Sequence, residues 1–341
     1  MQRVSYPDAI RGAGIILVVA IHAIAYLKVP PNSLWLPLGV AVPIFFLADG
    51  WLYATRSRGP ATLAAGAAYL AASARRLMLP WLLFSALYLA TRLAAERWGS
   101  AGGIPALPHG WTGIPSAIWH CHADRAMYFL PALMLVRIAS VILHPLVRGR
   151  PWIAAAAPAV LMIAWRLGVR PFVSFPPGGE EPLLAAAMGI GFAAVGWAFA
   201  EAEISGVRQW VPAAAVASAA LICGLLSVPG ASREVIQAAE LLAFWLAARN
   251  LGGWMPHRWL AWLGRRTMEI YLLHGPWVLH LVTAALLIVH RPAPVLIPFS
   301  VAASVAGALA VAAVLRRLGL AWTWGGGTSW RVASARRLLA A

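Results

Sequence analysis

Apolar residues run in long blocks along almost the whole chain, separated by short polar or Gly/Pro-rich joins. The blocks predict membrane-crossing helices at roughly 10–28, 34–54, 77–93, 127–147, 152–168, 183–200, 210–228, 235–249, 268–289 and 294–315. Each is of the length needed to cross a hydrocarbon core about 30 Å thick. Pro30-Pro31, Gly59-Pro60, Gly149-Arg150-Pro151, Pro176-Pro177-Gly178-Gly179 and Pro292-Ala293-Pro294 mark turns between them. No internal repeat and no soluble block interrupts the pattern, so residues 1–341 read as a single membrane domain. The expected fold is an all-α integral membrane protein of about ten transmembrane helices.

Composition sharpens this picture. The 341 residues are 61% hydrophobic and 11% charged, where a soluble domain needs about 25% charged residues to cover its surface. The mean hydropathy is +0.75. A net charge of +16 would suit nucleic acid, but the arginines lie in the joins rather than on one polar face. That is the pattern of topology signals, so no nucleic-acid partner is expected. With the first residues inside, Arg56, Arg75, Arg76, Arg148, Arg265, Arg266 and the arginine-rich tail fall on one side. The other side holds fewer cations, such as Lys28, Arg97 and Arg125. Both termini are therefore expected in the cytoplasm, in a multi-pass protein of a bacterial-type inner membrane bathed by lipid. No small-residue cleavage site follows the first apolar run, which reads as a retained span. The two cysteines, Cys121 and Cys223, show no CxxC spacing, and a disulfide framework is excluded.

Candidate chemistry rests on the ionisable groups inside apolar runs, which are costly in a bilayer and functional candidates by default. Arg11 and His22 are eleven residues apart, about three helical turns, so they share one stripe with an axial separation of about 16 Å. A neutral histidine at depth suits a general base, and an arginine nearer the interface suits a phosphate-bearing ligand. A snorkelling Arg11 and a packed His22 fit the spacing too. Asp49 needs a partner, for which Arg11 is at similar depth; Asp8 is the alternative partner of Arg11. Arg137, well inside the fourth span, calls for a carboxylate such as Glu240 or Glu269. Arg75-Arg76 opens the third span as either a phosphate grip or a topology signal. Glu269 and His274, five residues apart, lie about 140° apart around a helix and do not share a face. The connection 94–126 carries Trp98, Trp111, Trp119, His109, His120 and His122 and reads as an interfacial, partly re-entrant mouth on the outer side. His120-Cys121-His122-Ala123-Asp124 matches no zinc spacing, and no metal is expected. Glu180-Glu181 reads as a solvated pair.

Several stretches resemble a known family. Asp8-Ala-Ile-Arg-Gly through His22, with its Arg11-x10-His22 spacing, is similar to the first helix of membrane-bound acyltransferase family 3, which includes glycan O-acetyltransferases and fucose 4-O-acetylase-like proteins. Val42-Pro-Ile-Phe-Phe-Leu-Ala-Asp-Gly-Trp-Leu resembles its second helix, with Asp49-Gly50 where Ser-Gly is usual. Tyr128-Phe-Leu-Pro-Ala-Leu resembles a Trp-Phe-Leu-Pro-Ala-Leu stretch. Trp262-Leu-Gly-Arg-Arg-Thr-Met-Glu-Ile-Tyr-Leu-Leu-His-Gly-Pro resembles the late helix ending in His-x-Pro. The resemblance implies an O-acyltransferase with a cytoplasmic acyl-CoA donor, acetyl-CoA by default, and a carbohydrate hydroxyl of the cell surface or a lipid-linked sugar as acceptor. His22 is then the base or acyl relay and Arg11 holds the donor. Arg75, Arg76 and Asp49 fall on the donor side, and His120, His122, His274 and Glu269 on the acceptor side. Polysaccharide-biosynthesis proteins are possible partners. The rival class is a transporter or flippase of lipid-linked sugars, which would favour broken helices and repeated halves.

Overall fold

The computed structural model describes residues 6–29, 38–56, 62–97, 113–121, 124–163, 182–208, 231–250, 255–289 and 294–324. All of its regular elements are helical: α1 (Tyr6–Tyr26), α2 (Pro43–Arg56), α3 (Leu63–Arg97), α4 (Gly113–Trp119), α5 (Phe129–Val147), α6 (Pro151–Ile163), α7 (Pro182–Ile204), α8 (Ala231–Asn250), α9 (Met255–Gly264), α10 (Thr267–Leu273), α11 (His280–Val289) and α12 (Leu296–Arg317). Among the described residues, six helices are long and apolar enough to cross a membrane. A seventh span forms if α10 and α11, bent by 63° at their junction, count as one. The expected span 210–228 lies outside the described residues, and 152–168 is described only to residue 163.

Helix packing follows small residues, as it must where lipid removes the hydrophobic drive between helices. α7 is apolar on all sides and buried on all sides: every residue from Gly191 to Ala202 is buried. It sits at the centre of the bundle, against α2, α5 and α6. A methyl group added at Gly50 of α2 would lie 2.2 Å from the Ala193 carbonyl oxygen, and one at Gly196 of α7 would lie 2.2 Å from the Leu47 oxygen. α1 meets α9 in the same way. A methyl group at Gly12 would stand 2.0 Å from the Leu260 oxygen, and one at Gly264 would stand 1.7 Å from the Asp8 oxygen. Only glycine permits such backbone approach.

Three expectations change. The third span begins at Leu63 rather than near 77 and runs for 35 residues, about 52 Å at 1.5 Å per residue, longer than the hydrocarbon core. The join at 250–267 contains a helix, α9, whose His257, Ala261 and Leu263 are buried. The connection 94–126 carries a helix: α4 packs on α3 through Ala117, Ile114, Ile118 and Leu89, with Trp119 edge-on to Trp81 at 6.3 Å.

Candidate active site

The site begins where the span after α9 breaks. A wide π-type turn joins α10 to α11 across His274–Leu279, and Gly275 leaves helical geometry at φ −48° and ψ −138°. Pro276 has no N–H, so the Leu272 carbonyl four residues earlier loses its helical partner. Tyr88 of α3 replaces it, donating its hydroxyl to Leu272 O. The Tyr271 carbonyl lies just before the same break. His274 turns back onto it: Nδ1 lies 2.8 Å from Tyr271 O and 2.9 Å from Ile270 O. Both are pure acceptors, so Nδ1 carries the proton. Non-helical backbone at this depth is tolerated because protein groups satisfy it.

The tautomer has a consequence at the next ring. Neutral His274 presents a lone pair at Nε2, and His22 Nδ1 lies 3.2 Å from it, the rings 5.2 Å apart and tilted by 44°. His22 therefore donates from Nδ1. The Val18 carbonyl, one turn back on α1, accepts from the same ring, and Nδ1 is the nitrogen nearer the backbone. Both contacts fix one tautomer and leave the Nε2 lone pair of His22 unspent. The geometry sets up a base, with His274 as a neutral positioning group.

Residues 124–128 pack against this break. Tyr271 donates its hydroxyl to Ala126 O. Asp124 accepts from Ala126 N–H at 3.0 Å and caps the short turn Arg125–Tyr128. Its second oxygen lies against Gly275: a methyl group at that glycine would be 2.9 Å from Asp124 Oδ2 and 3.2 Å from Tyr88 Oη. Burial raises the Asp124 carboxyl above the ordinary carboxylate range, opposed by the Ala126 N–H and by His274.

A family model described as an acyltransferase domain matches residues 4–314. The chain belongs to acyltransferase family 3. No curated protein and no solved structure matches it.

The stretches that carry this acyltransferase's resemblance touch one another in space. Asp8–Gly12 crosses Leu260–Gly264, while His22 meets His274. The second-helix stretch packs on α7 through Gly50. Arg11 itself sits among charges. Its Nη1 is 3.7 Å from Asp8 Oδ1, and Arg76, Asp49 and Arg137 all act on it electrostatically. The expected Asp49–Arg11 pair does not form. Asp49 is taken by Arg137, with Nη2 at 2.5 Å from Oδ1 and Nε at 3.0 Å from Oδ2. Arg137 Nη1 donates to Ser73 Oγ at 3.2 Å, and the guanidinium lies 5.9 Å from the Tyr69 ring centre. The fork geometry of guanidinium explains the choice: from α5 it can face the carboxylate side-on with two nitrogens. Neither Glu240 nor Glu269 is therefore the partner of Arg137. Glu269 accepts from Arg316 Nη1 at 2.7 and 2.8 Å, which ties α10 to the last turn of α12 and keeps it apart from His274.

Of the other candidates, Arg75 and Arg76 are exposed on α3, and His120 is half-buried in the turn after α4. His122, His109 and Glu180-Glu181 lie outside the described residues. The structure also brings forward groups that the sequence did not single out. His144 Nε2 lies 3.1 Å from Glu201 Oε1, both fully buried, and Glu201 Oε2 accepts from Gly149 N–H at 2.9 Å. This pair binds α5, α7 and the Gly149 turn together. Glu203 accepts from Tyr6 Oη at 2.8 Å and Trp51 Nε1 at 3.3 Å. The only signal for such groups was an acid and a histidine placed inside apolar runs.

Proposed function

We propose that the protein transfers an acyl group, acetyl by default, from a cytoplasmic acyl-CoA to a hydroxyl of a cell-surface or lipid-linked carbohydrate. The observation that carries this reading is the His22–His274 pair, which leaves His22 Nε2 as an oriented lone pair inside a membrane acyltransferase. Nε2 takes the proton of the acceptor hydroxyl as its oxygen attacks the thioester carbonyl. The carbon–sulfur bond breaks, and the proton passes from His22 to the departing thiolate. His274 accepts from Nδ1–H throughout and supports the imidazolium that forms.

The arginines supply the donor side of this reading. Arg11 and Arg76 share one field, which suits the phosphates of CoA, and Arg75 stands beside them. Asp49 shapes the cluster by neutralising Arg137 and does not itself meet the donor. Arg56, Arg249, Arg316 and Arg317 stand in the last turns of α2, α8 and α12. Read by the positive-inside rule, these ends are cytoplasmic; ten spans in an inner membrane complete the proposal.

The test is base-labile acetyl on surface glycans in cells lacking their own gene, complemented with wild type or His22→Ala, with membrane insertion of both verified. Wild type restores the esters and His22→Ala does not. Equal restoration by both makes His22 a packing residue; restoration by neither removes the carbohydrate acceptor.

A further inference from the structure

The polar groups around the helix break do not end at the two histidines. Tyr26 lies four residues beyond His22, one turn outward on the same face of α1. It is 37% exposed and stands edge-on to His280 at 5.8 Å. Tyr88 meets Trp277 edge-on at 4.8 Å. Asp124 acts electrostatically on both Tyr26 and Tyr88, and its Oδ2 lies beside Gly275, the residue after His274. A carboxylate and three aromatic rings thus gather on the outward side of the base.

This carboxylate is held differently from the carboxylates of the ion pairs. Asp49, Glu201 and Glu269 are each spent on a cationic or histidine partner within hydrogen-bond distance. Asp124 commits Oδ1 to the Ala126 N–H, which fixes the carboxylate plane, while Oδ2 looks onto Gly275 beside the Tyr88 phenol. An oriented acceptor oxygen with aromatic side chains in its neighbourhood is the chemistry that recognises a sugar: hydroxyls donate to the carboxylate and ring C–H faces lie on aromatics.

Building on the proposed carbohydrate acylation, we infer that Asp124 and Tyr26 form the acceptor subsite and bind a vicinal diol. Asp124 accepts from the hydroxyl adjacent to the one that His22 deprotonates, and Tyr26 and Trp277 flank the ring. The subsite selects acceptors by the hydroxyl next to the reacting one.

The test uses the full chain in lipid nanodiscs, radiolabelled acetyl-CoA, and methyl glycopyranosides paired with their monodeoxy analogues. Asp124→Asn keeps an oxygen to cap Ala126 N–H and loses the charge; Tyr26→Phe keeps the ring. Asp124→Asn raises KM for the glycoside at least tenfold and Tyr26→Phe raises it a few-fold, with KM for acetyl-CoA unchanged in both. Wild type disfavours the deoxy analogue by a similar factor, and Asp124→Asn no longer distinguishes the two. An unchanged glycoside KM, a shift in acetyl-CoA KM instead, or retained discrimination in Asp124→Asn overturns the subsite alone. If wild type acetylates no glycoside, the carbohydrate reading itself falls, and the subsite with it.

Discussion

Two of the polar assemblies in this bundle solve the cost of burial in opposite ways. At Asp49–Arg137 the charges consume each other. Both carboxylate oxygens and two guanidinium nitrogens face one another, and the third nitrogen goes to Ser73. Nothing is left over to meet a substrate. At His22–His274 no formal charge is needed. The Ile270 and Tyr271 carbonyls set one ring, that ring sets the next, and a single lone pair remains. Saturation suits the first assembly to holding helices in place. An oriented remainder is what the proposed reaction draws on in the second.

The contrast yields a ranked set of expectations. Largest is His22→Ala, which removes the base and lowers transfer about 10²–10⁴-fold, read as acetyl transfer from radiolabelled acetyl-CoA in nanodiscs. Next is Asp49→Ala, which strands Arg137 and destabilises the fold by about 3–5 kcal/mol, read by thermal unfolding in detergent. The double variant Asp49→Leu with Arg137→Met recovers most of that stability. A double variant that is stable yet inactive would move the pair from scaffold to chemistry. Gly264→Ala comes third. Its methyl group has no room against Asp8 O, so α1 and α9 separate at a cost of about 1–3 kcal/mol, with a lower melting temperature and weaker donor binding through a displaced Arg11. Smallest is His274→Ala. It removes one orienting hydrogen bond, worth about 1 kcal/mol, and lowers kcat by about tenfold or less with acetyl-CoA KM unchanged.

Much of this contrast could be read from the chain, and the unread part has a common cause. The phase of Arg11 and His22 on one stripe follows from helical periodicity, which is local, and α1 confirms the helix that carries them. The lack of a shared face for Glu269 and His274 follows in the same way, and the two residues do turn to different partners. What periodicity cannot supply is the choice of partner between helices. Asp49 met Arg137, 88 residues away, rather than Arg11, because rotation and offset of α2 against α5 decide the contact. Those are fixed by Gly50 and Gly196 fitting α2 to α7. The tautomer of His274 likewise depends on which carbonyls stand within reach of its ring at the break. Asp124 was visible only as part of a histidine-rich run. Its place beside the break depends on Tyr271 reaching back to Ala126.

The central claim is that His274 acts through His22 and has no separate part in the reaction. A double-mutant cycle tests it most directly: transfer rates in nanodiscs for wild type, His22→Ala, His274→Ala and the double variant. The account predicts that the double variant is no slower than His22→Ala alone, because a positioning group has nothing left to position. Losses that multiply would contradict it and give His274 a role of its own.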